Sequence, residues 1–214
     1  MSDSDSLQTL EAMSDEQLMG QVVLEDPRAL KILMHRWELR LRKYLLRLLN
    51  DQRGASMVAK DAFVCVYVKR AKYNPAKPFS HWLYGIATNE ARSYQRWWKA
   101  KFCVSRDALR TIITGNPGKD STGTRSNGML EPADSGLSPD VADLHREKIE
   151  AVRKAISSLP IGLREPLILA EYEDKGYTEI AAILNITPKA VETRLRRARV
   201  TMKLSLQKYF DDSP

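Results

Sequence analysis

The chain has 214 residues, 43% of them hydrophobic and 29% charged. At ~100–200 residues per domain this means one large domain or two small ones, and the composition is globular rather than disordered. Aromatic residues are only 7%, which favours helices over a β sandwich. No apolar run approaches the ~18 residues of a membrane span. The acidic, polar start MSDSDSLQTLEAMSDEQ has the pattern of neither a signal nor a transit peptide. Two cysteines, Cys65 and Cys103, lie far apart with no CxxC, which argues against a disulfide framework or a zinc site, and the three histidines are scattered, so a reducing cytoplasm is expected.

Net charge is +7, unevenly spread. Residues 1–30 carry 1 basic and 7 acidic residues, and residues 31–110 carry 18 and 5. Residues 111–143 carry 2 and 5, and residues 144–214 carry 13 and 10. Positive charge therefore forms two blocks around an acidic stretch, the electrostatic footprint of a polyanion partner.

In chain order, Ser14 with Gln17 fits a capping box ahead of Leu18, Val22 and Val23 at helical spacing. Asp26-Pro27 restarts the chain, and Leu30, Leu33, Trp37, Leu41, Tyr44 and Leu48 predict a long amphipathic helix ending near Asn50-Asp51. Val58, Ala62, Val66 and Phe63, Tyr67 predict a third helix. Tyr73-Asn74-Pro75-Ala76-Lys77-Pro78 is a loop, because two prolines break any helix. A fourth helix carries Leu83, Ile86, Ala87, Ala91, Tyr94 and Trp98. Thr111–Asp140, dense in Gly, Ser, Thr, Asp and Pro, predicts a flexible linker. Beyond it, helices are expected from Val141 to Leu159, over Leu163–Glu173, over Tyr177–Leu184, and from Pro188 to about Lys208 with Thr187 as N-cap. Alternating strand patterns are absent. The expected fold class is all-α, with two small helical domains on a tether.

Two constellations carry chemistry. In Tyr177–Arg199, Ile180, Ala181 and Leu184 of a short helix face Val191, Leu195 and Ala198 of a capped one, the hydrophobic code of a helix-turn-helix. Thr187, Lys189, Glu192, Thr193, Arg194, Arg196, Arg197 and Arg199 lie outward, placed to meet bases and phosphates of a major groove. Glu192 either accepts from a cytosine amino group or pairs with Arg196 at i+4, the second being favoured. In Tyr73–Lys101, aromatic and basic residues interleave, which suits unpaired bases stacked on rings with the backbone held by cations. Trp82, Leu83 and Ile86 are expected in the core. Asn89, Arg92, Arg96 and Trp97 sit at other angles and are surface candidates.

Phe79-Ser80-His81-Trp82-Leu83-Tyr84-Gly85-Ile86-Ala87-Thr88-Asn89 resembles the F-x-x-W-L-x-x-I-A-x-N motif of extracytoplasmic-function (ECF) sigma factors, initiation subunits of bacterial RNA polymerase. Asp61-Ala62-Phe63-Val64 with Val66-Tyr67 is similar to the helix before that family's melting loop. Leu159-Pro160, Arg164-Glu165, Tyr177–Ala181 and Val191–Arg199 resemble its region 4. The positions of a family acidic pair and Gln appear here as Ser56, Met57 and Lys60. The resemblance implies an acidic tail at 1–12, region 2 at 13–105, a linker at 106–142 and region 4 at 143–210. It implies that Arg40, Tyr44, Val58, Asp61, Val64, Tyr67 and Val68 dock on the β′ clamp helices of core polymerase, with the β flap a further contact. It implies that Tyr73, Asn74, Lys77, Phe79, Ser80, Asn89, Arg92, Ser93, Arg96 and Trp97 bind and open the minus-ten element, and that the helix-turn-helix binds the minus-thirty-five duplex. Promoter DNA, core polymerase and an anti-sigma protein are the implied partners, with one copy per holoenzyme and no membrane. No P-loop, H-E-x-x-H or G-x-S-x-G is present, so neither an enzyme nor a cofactor or metal is expected. The alternative is a helix-turn-helix regulator without sigma activity.

Overall fold

The computed structural model describes residues 8–113 and 139–210. Residues 8–11 are helical, and eight longer α-helices follow: α1 Asp15–Val23, α2 Pro27–Leu49, α3 Gln52–Val68, α4 Phe79–Ile113, α5 Pro139–Ser158, α6 Ile161–Glu171, α7 Tyr177–Leu184 and α8 Pro188–Phe210. A 3-10 turn, Arg70–Lys72, precedes the Pro-rich loop. No strand occurs among the described residues. Helix α4 runs on to Ile113 and α5 begins at Pro139, so both edges of the expected linker are helical, while its middle, 114–138, lies outside the described residues.

Local chemistry sets the helix ends. The capping box forms as expected: Ser14 Oγ accepts from Gln17 N at 3.2 Å and Gln17 Oε1 accepts from Ser14 N at 2.9 Å. Asp26 caps α2 ahead of Pro27, and Asn50 ends it in the left-handed conformation at φ 53°. Asp51 then caps α3 through Arg53 N at 3.1 Å. The same carboxylate accepts from Tyr94 Oη at 2.7 Å, tying the start of α3 to α4.

Helices α1–α4 form the first body around Leu18, Leu33, Leu41, Leu45, Leu48, Ala62, Val66, Leu83 and Ala87, all without exposed surface. At one end Trp37, Tyr73, Phe79 and Tyr84 meet edge to face, with centroids 6.1–6.3 Å apart in three pairs. Asp15 holds α1 on α2 through Trp37 Nε1 at 2.7 Å and Arg36 Nη1 at 2.8 Å. Glu16 of α1 accepts from Phe79 N at 3.0 Å and so caps α4 from outside. That bond holds the Glu16 carboxyl below its usual range.

Helices α5–α8 form the second body around Leu159, Ile168, Ile180, Val191, Leu195 and Ala198. Pro166 is the sixth residue of α6, past the first turn, where it supplies no N–H to the Gly162 carbonyl. One continuous hydrophobic cluster runs through both bodies. The two domains are thus packed together, with α4 against α7 and α2 against α5 and α6.

Gly54 lies where α3 passes under Tyr94. A Cβ there would come within 2.5 Å of Asp51 Oδ2 and 2.7 Å of the Tyr94 ring. Gly54→Ala is therefore expected to destabilise the chain by about 1–3 kcal/mol through overpacking, against the ~1 kcal/mol that alanine gains in a helix. Urea denaturation of the two proteins measures the difference.

Candidate nucleic-acid interface and the contact between its two halves

In the second domain α7 and α8 are joined by a three-residue turn, Asn185 to Thr187. Asn185 takes the left-handed conformation at φ 54°, and Ile186 N returns to the Ala181 carbonyl at 3.0 Å. Thr187 Oγ1 accepts from Ala190 N at 3.2 Å, so Thr187 and Pro188 start α8 as their types require. Ile180, Ala181 and Leu184 face Val191, Leu195 and Ala198, all buried. Outward lie Lys189, Arg196 and Arg197, all exposed. Glu192 is not paired with Arg196 as favoured from spacing: it takes Lys189 Nζ at 2.8 Å, and that bond lowers its pKa. Arg199 binds Glu171 of α6 at 2.9 Å. Thr193 bonds back to the Lys189 carbonyl at 2.9 Å. Arg194 is half-buried and faces the other domain.

In the first domain the loop before α4 holds itself. Tyr73 Oη donates to the Lys77 carbonyl at 3.0 Å, and Asn74 Oδ1 accepts from Ala76 N at 3.0 Å. Lys77 is exposed and Ser80 half-buried. Asn89, Ser93 and Arg96 line the outer face of α4, with Arg96 Nη2 on Ser93 Oγ at 3.1 Å. Trp97 is 54% exposed and lies over Trp98, itself 42% exposed, with centroids 5.6 Å apart; Tyr94 stacks on Trp98 at 6.2 Å. Trp98 is thus part of an open aromatic stack and not core, while Trp82 is half-buried beside Tyr73 at 5.1 Å.

Three residues to which the resemblance gives a contact role are core. Phe79 has no exposed surface and packs between Trp37, Tyr73 and Trp82. Tyr44 is fully buried, its hydroxyl 2.8 Å from Thr88 Oγ1, and burial drives its pKa far up. Val58 is 2% exposed on the inner face of α3. The reason is register: each sits on the helix face that meets a neighbouring helix. Val64, Tyr67 and Val68 instead form an exposed apolar strip, with Asp61 exposed one turn earlier and the Arg70 guanidinium 4.4 Å over the Tyr67 ring.

Arg92 and Arg40 are committed to the other domain. Glu165 of α6, with no exposed surface, receives Arg92 Nε at 2.7 Å and Nη2 at 2.6 Å, a bidentate pair that raises the Arg92 pKa. Glu173, 4% exposed, receives Arg40 Nε at 2.8 Å and the Tyr84 hydroxyl. Arg164, whose pKa burial lowers, reaches the Leu48 carbonyl at 2.7 Å, and Arg47 lies 4.2 Å over the Tyr172 ring. His81 Nε2 meets Glu179 Oε1 at 2.9 Å. Between these contacts a cleft of about 520 Å³ is lined by Asn89 and Arg92 on one side and by Glu165, Asn185, Ile186 and Arg194 on the other. Of these partners, Glu165 carried a legible sign: a carboxylate inside the apolar run Leu163–Leu169 must find a cation.

A two-domain helical protein with a basic helix-turn-helix and a second basic, aromatic helix defines the class: a DNA-binding protein of two recognition bodies. Family profiles described as Sigma-70 region 2 and Sigma-70, region 4 match residues 33–98 and 149–202. Over 198 residues the chain is 29% identical to the RNA polymerase sigma-H factor of Pseudomonas aeruginosa, covering 90% of this chain and 94% of that one. It is 25% identical to the ECF RNA polymerase sigma-E factor of Escherichia coli K12, covering 92% and 96%. Among solved structures it shares its fold with CnrH in complex with the cytosolic domain of CnrY, at TM-score 0.61 and 22% identity over 93% of this chain and 99% of that one. It likewise shares it with the sigma factor RpoE in complex with the anti-sigma factor NepR from Bartonella quintana, at TM-score 0.56 and 20% identity over 83% and 96%. The chain belongs to the sigma-70 family, among its ECF members, and is a transcription initiation factor. No described helix is long and apolar enough to cross a membrane, and no group of metal-binding side chains occurs among the described residues.

Glu179 has its carboxyl held down to about 2, chiefly by the Gly176 N–H at 2.8 Å and then by His81. A folded pKa below the unfolded one contributes stability that is complete above the unfolded value and lost as pH falls through about 2. The stability advantage of the wild type over Glu179→Gln is therefore expected to shrink steadily as pH falls from 5 towards 2, read by urea melts at each pH. A gap independent of pH would contradict the assignment.

Proposed function

We propose that this factor directs core RNA polymerase to its promoters by a division of labour between the two domains. Helix α8 enters the major groove of the minus-thirty-five duplex, with Thr187, Lys189, Thr193 and Arg194 towards base edges and Arg196, Arg197 and Arg199 towards phosphates. The loop at Tyr73–Ser80 and the face of α4 carrying Asn89, Arg92, Ser93, Arg96 and Trp97 engage the minus-ten element as it opens. An unpaired base costs a few kcal/mol to extrude, and stacking on an exposed ring with its backbone on cations offsets that cost. The strip of Val64, Tyr67 and Val68, with Asp61, supplies the docking face for the β′ clamp helices, and Arg40 on α2 is a further contact. The second domain meets the β flap, and an anti-sigma protein competes for these faces. The factor itself is not an enzyme and works in the cytoplasm.

The observation that carries this reading is the pairing, in one chain, of a capped helix-turn-helix with an outward basic row and a separate helix whose exposed rings Trp97 and Trp98 stack beside Arg96. A single groove-binding regulator has no use for the second. The test is start-site selection: core polymerase stripped of its specificity subunit, given this chain and a promoter library, is expected to initiate at a defined set of sites. Initiation no more selective than with core alone would reject the reading.

Within the assembled holoenzyme, Trp97→Ala is expected to weaken binding of a single-stranded minus-ten oligonucleotide by about 1–3 kcal/mol while leaving upstream duplex affinity unchanged. Arg197→Ala is expected to do the reverse, and to reduce the slope of log K against log salt by about 1. Fluorescence anisotropy with the two oligonucleotides separates the effects.

A further inference from the structure

We infer that Glu192, held beside Lys189 on the outer face of α8, selects cytosine at one position of the upstream duplex. This rests on the reading of α8 as the helix that enters the major groove, and it adds a base identity to that reading. The outer face of α8 is otherwise a row of donors. Lys189, Arg196 and Arg197 are exposed on it, and ammonium and guanidinium groups donate hydrogen bonds but accept none. Thr193, among them, donates its hydroxyl proton to the Lys189 carbonyl at 2.9 Å. Glu192 is the single carboxylate of α8, and its side chain is 53% exposed. It bonds Lys189 at 2.8 Å and feels the charge of Arg196, both on the same helix, so it ties α8 to nothing else in the fold.

A carboxylate in that place is unfavourable for binding DNA at large. A negative charge among cations that face a polyanion repels phosphates and weakens the general attraction. An exposed pair with a lysine three residues away stabilises a helix only slightly. A base contact is what offsets the repulsion. In the major groove guanine presents two acceptors, and thymine presents an acceptor beside its methyl group. Adenine presents a donor next to an acceptor, and cytosine presents an amino donor alone. Cytosine is therefore the one base whose own edge offers a carboxylate a proton without an adjacent lone pair.

Position and protonation agree with this. Residue 192 lies in the second turn after the Thr187 cap, in the N-terminal part of the helix from which side chains reach base edges. Lys189 draws the carboxylate back towards the helix start and away from Arg196, one turn on. The same bond lowers the Glu192 pKa, so the group stays ionised and meets a base as an acceptor only.

The test uses holoenzyme assembled from core polymerase and the full chain. It is bound to a promoter library randomised through the upstream element, and the bound pool is sequenced. Wild type is expected to enrich cytosine at one position by at least ~5-fold over guanine and thymine, the lower end of what a well-placed base contact discriminates. Glu192→Gln is expected to move that position to adenine, because a primary amide donates to N7 and accepts from the N6 amino group. Glu192→Ala is expected to flatten that position. Preferences at the remaining positions are expected to stay as in wild type, which also shows that both variants fold. Titration of the wild-type site and its cytosine-to-adenine and cytosine-to-guanine versions checks the ranking directly. Profiles that are the same at every position in wild type and both variants overturn the inference. So does a Glu192-dependent position at which wild type takes any base but cytosine. Both outcomes leave the groove reading standing, because wild type still selects an upstream motif. A library from which wild type enriches no upstream sequence rejects the groove reading together with the inference.

Discussion

A carboxylate taken out of water must be met by a cation or by several donors, or the fold around it is not stable. Glu165 and Glu173 are both in that position, and neither finds its cation in its own domain. Arg92 and Arg40 come from α4 and α2, so the arrangement of the second domain on the first is the arrangement that satisfies these two groups. The apolar contacts at the same boundary, with Ile183 and Leu184 buried near Gly85, add area but little orientation, because hydrophobic contact is not directional. Orientation comes from the forked guanidinium of Arg92, which donates to both carboxylate oxygens in one plane only. Arg164 adds a third fixed direction through the carbonyls of Leu48 and Leu159, both at 2.7 Å.

The local parts of this molecule were legible in its sequence because their causes are local. Ser14 with Gln17, Asp26 before Pro27, and Thr187 before Pro188 each specify a helix start through atoms three residues apart, and each is found as read. The helix-turn-helix follows from a 3.6-residue period on two adjacent segments. Phe79, Tyr44 and Val58 were harder. Tyr44 and Val58 already stand on the apolar stripes of their helices, and only the resemblance gives them and Phe79 a contact role. A motif match marks a segment as functional without saying which of its side chains do the packing. Here Phe79 packs the aromatic cluster that fixes the loop, while its neighbours carry the exposed polar groups.

The contact between domains was not legible, for a different reason. No periodicity links Arg92 to a residue 73 positions away, nor Arg40 to one 133 positions away. The available sign was indirect: acidic residues on the apolar side of α6 and just after it, in segments whose other inward positions are Leu167, Ile168 and Leu169. Such a residue announces that it needs a partner but not which one. Pro166 belongs to the same segment. By withholding an N–H from the Gly162 carbonyl it leaves that part of α6 less tied to its own helix, at the wall of the cleft where Glu165 meets Arg92.

The closed arrangement also changes what the basic character of the first domain means. A cluster of cations on a free surface attracts any polyanion, and nonspecific binding of that kind is strong enough to compete with specific sites in a genome. With Arg92 held by Glu165 and Arg40 by Glu173, part of that field is cancelled internally. Arg96 and Lys77 stay exposed, so attraction to DNA is weakened rather than abolished.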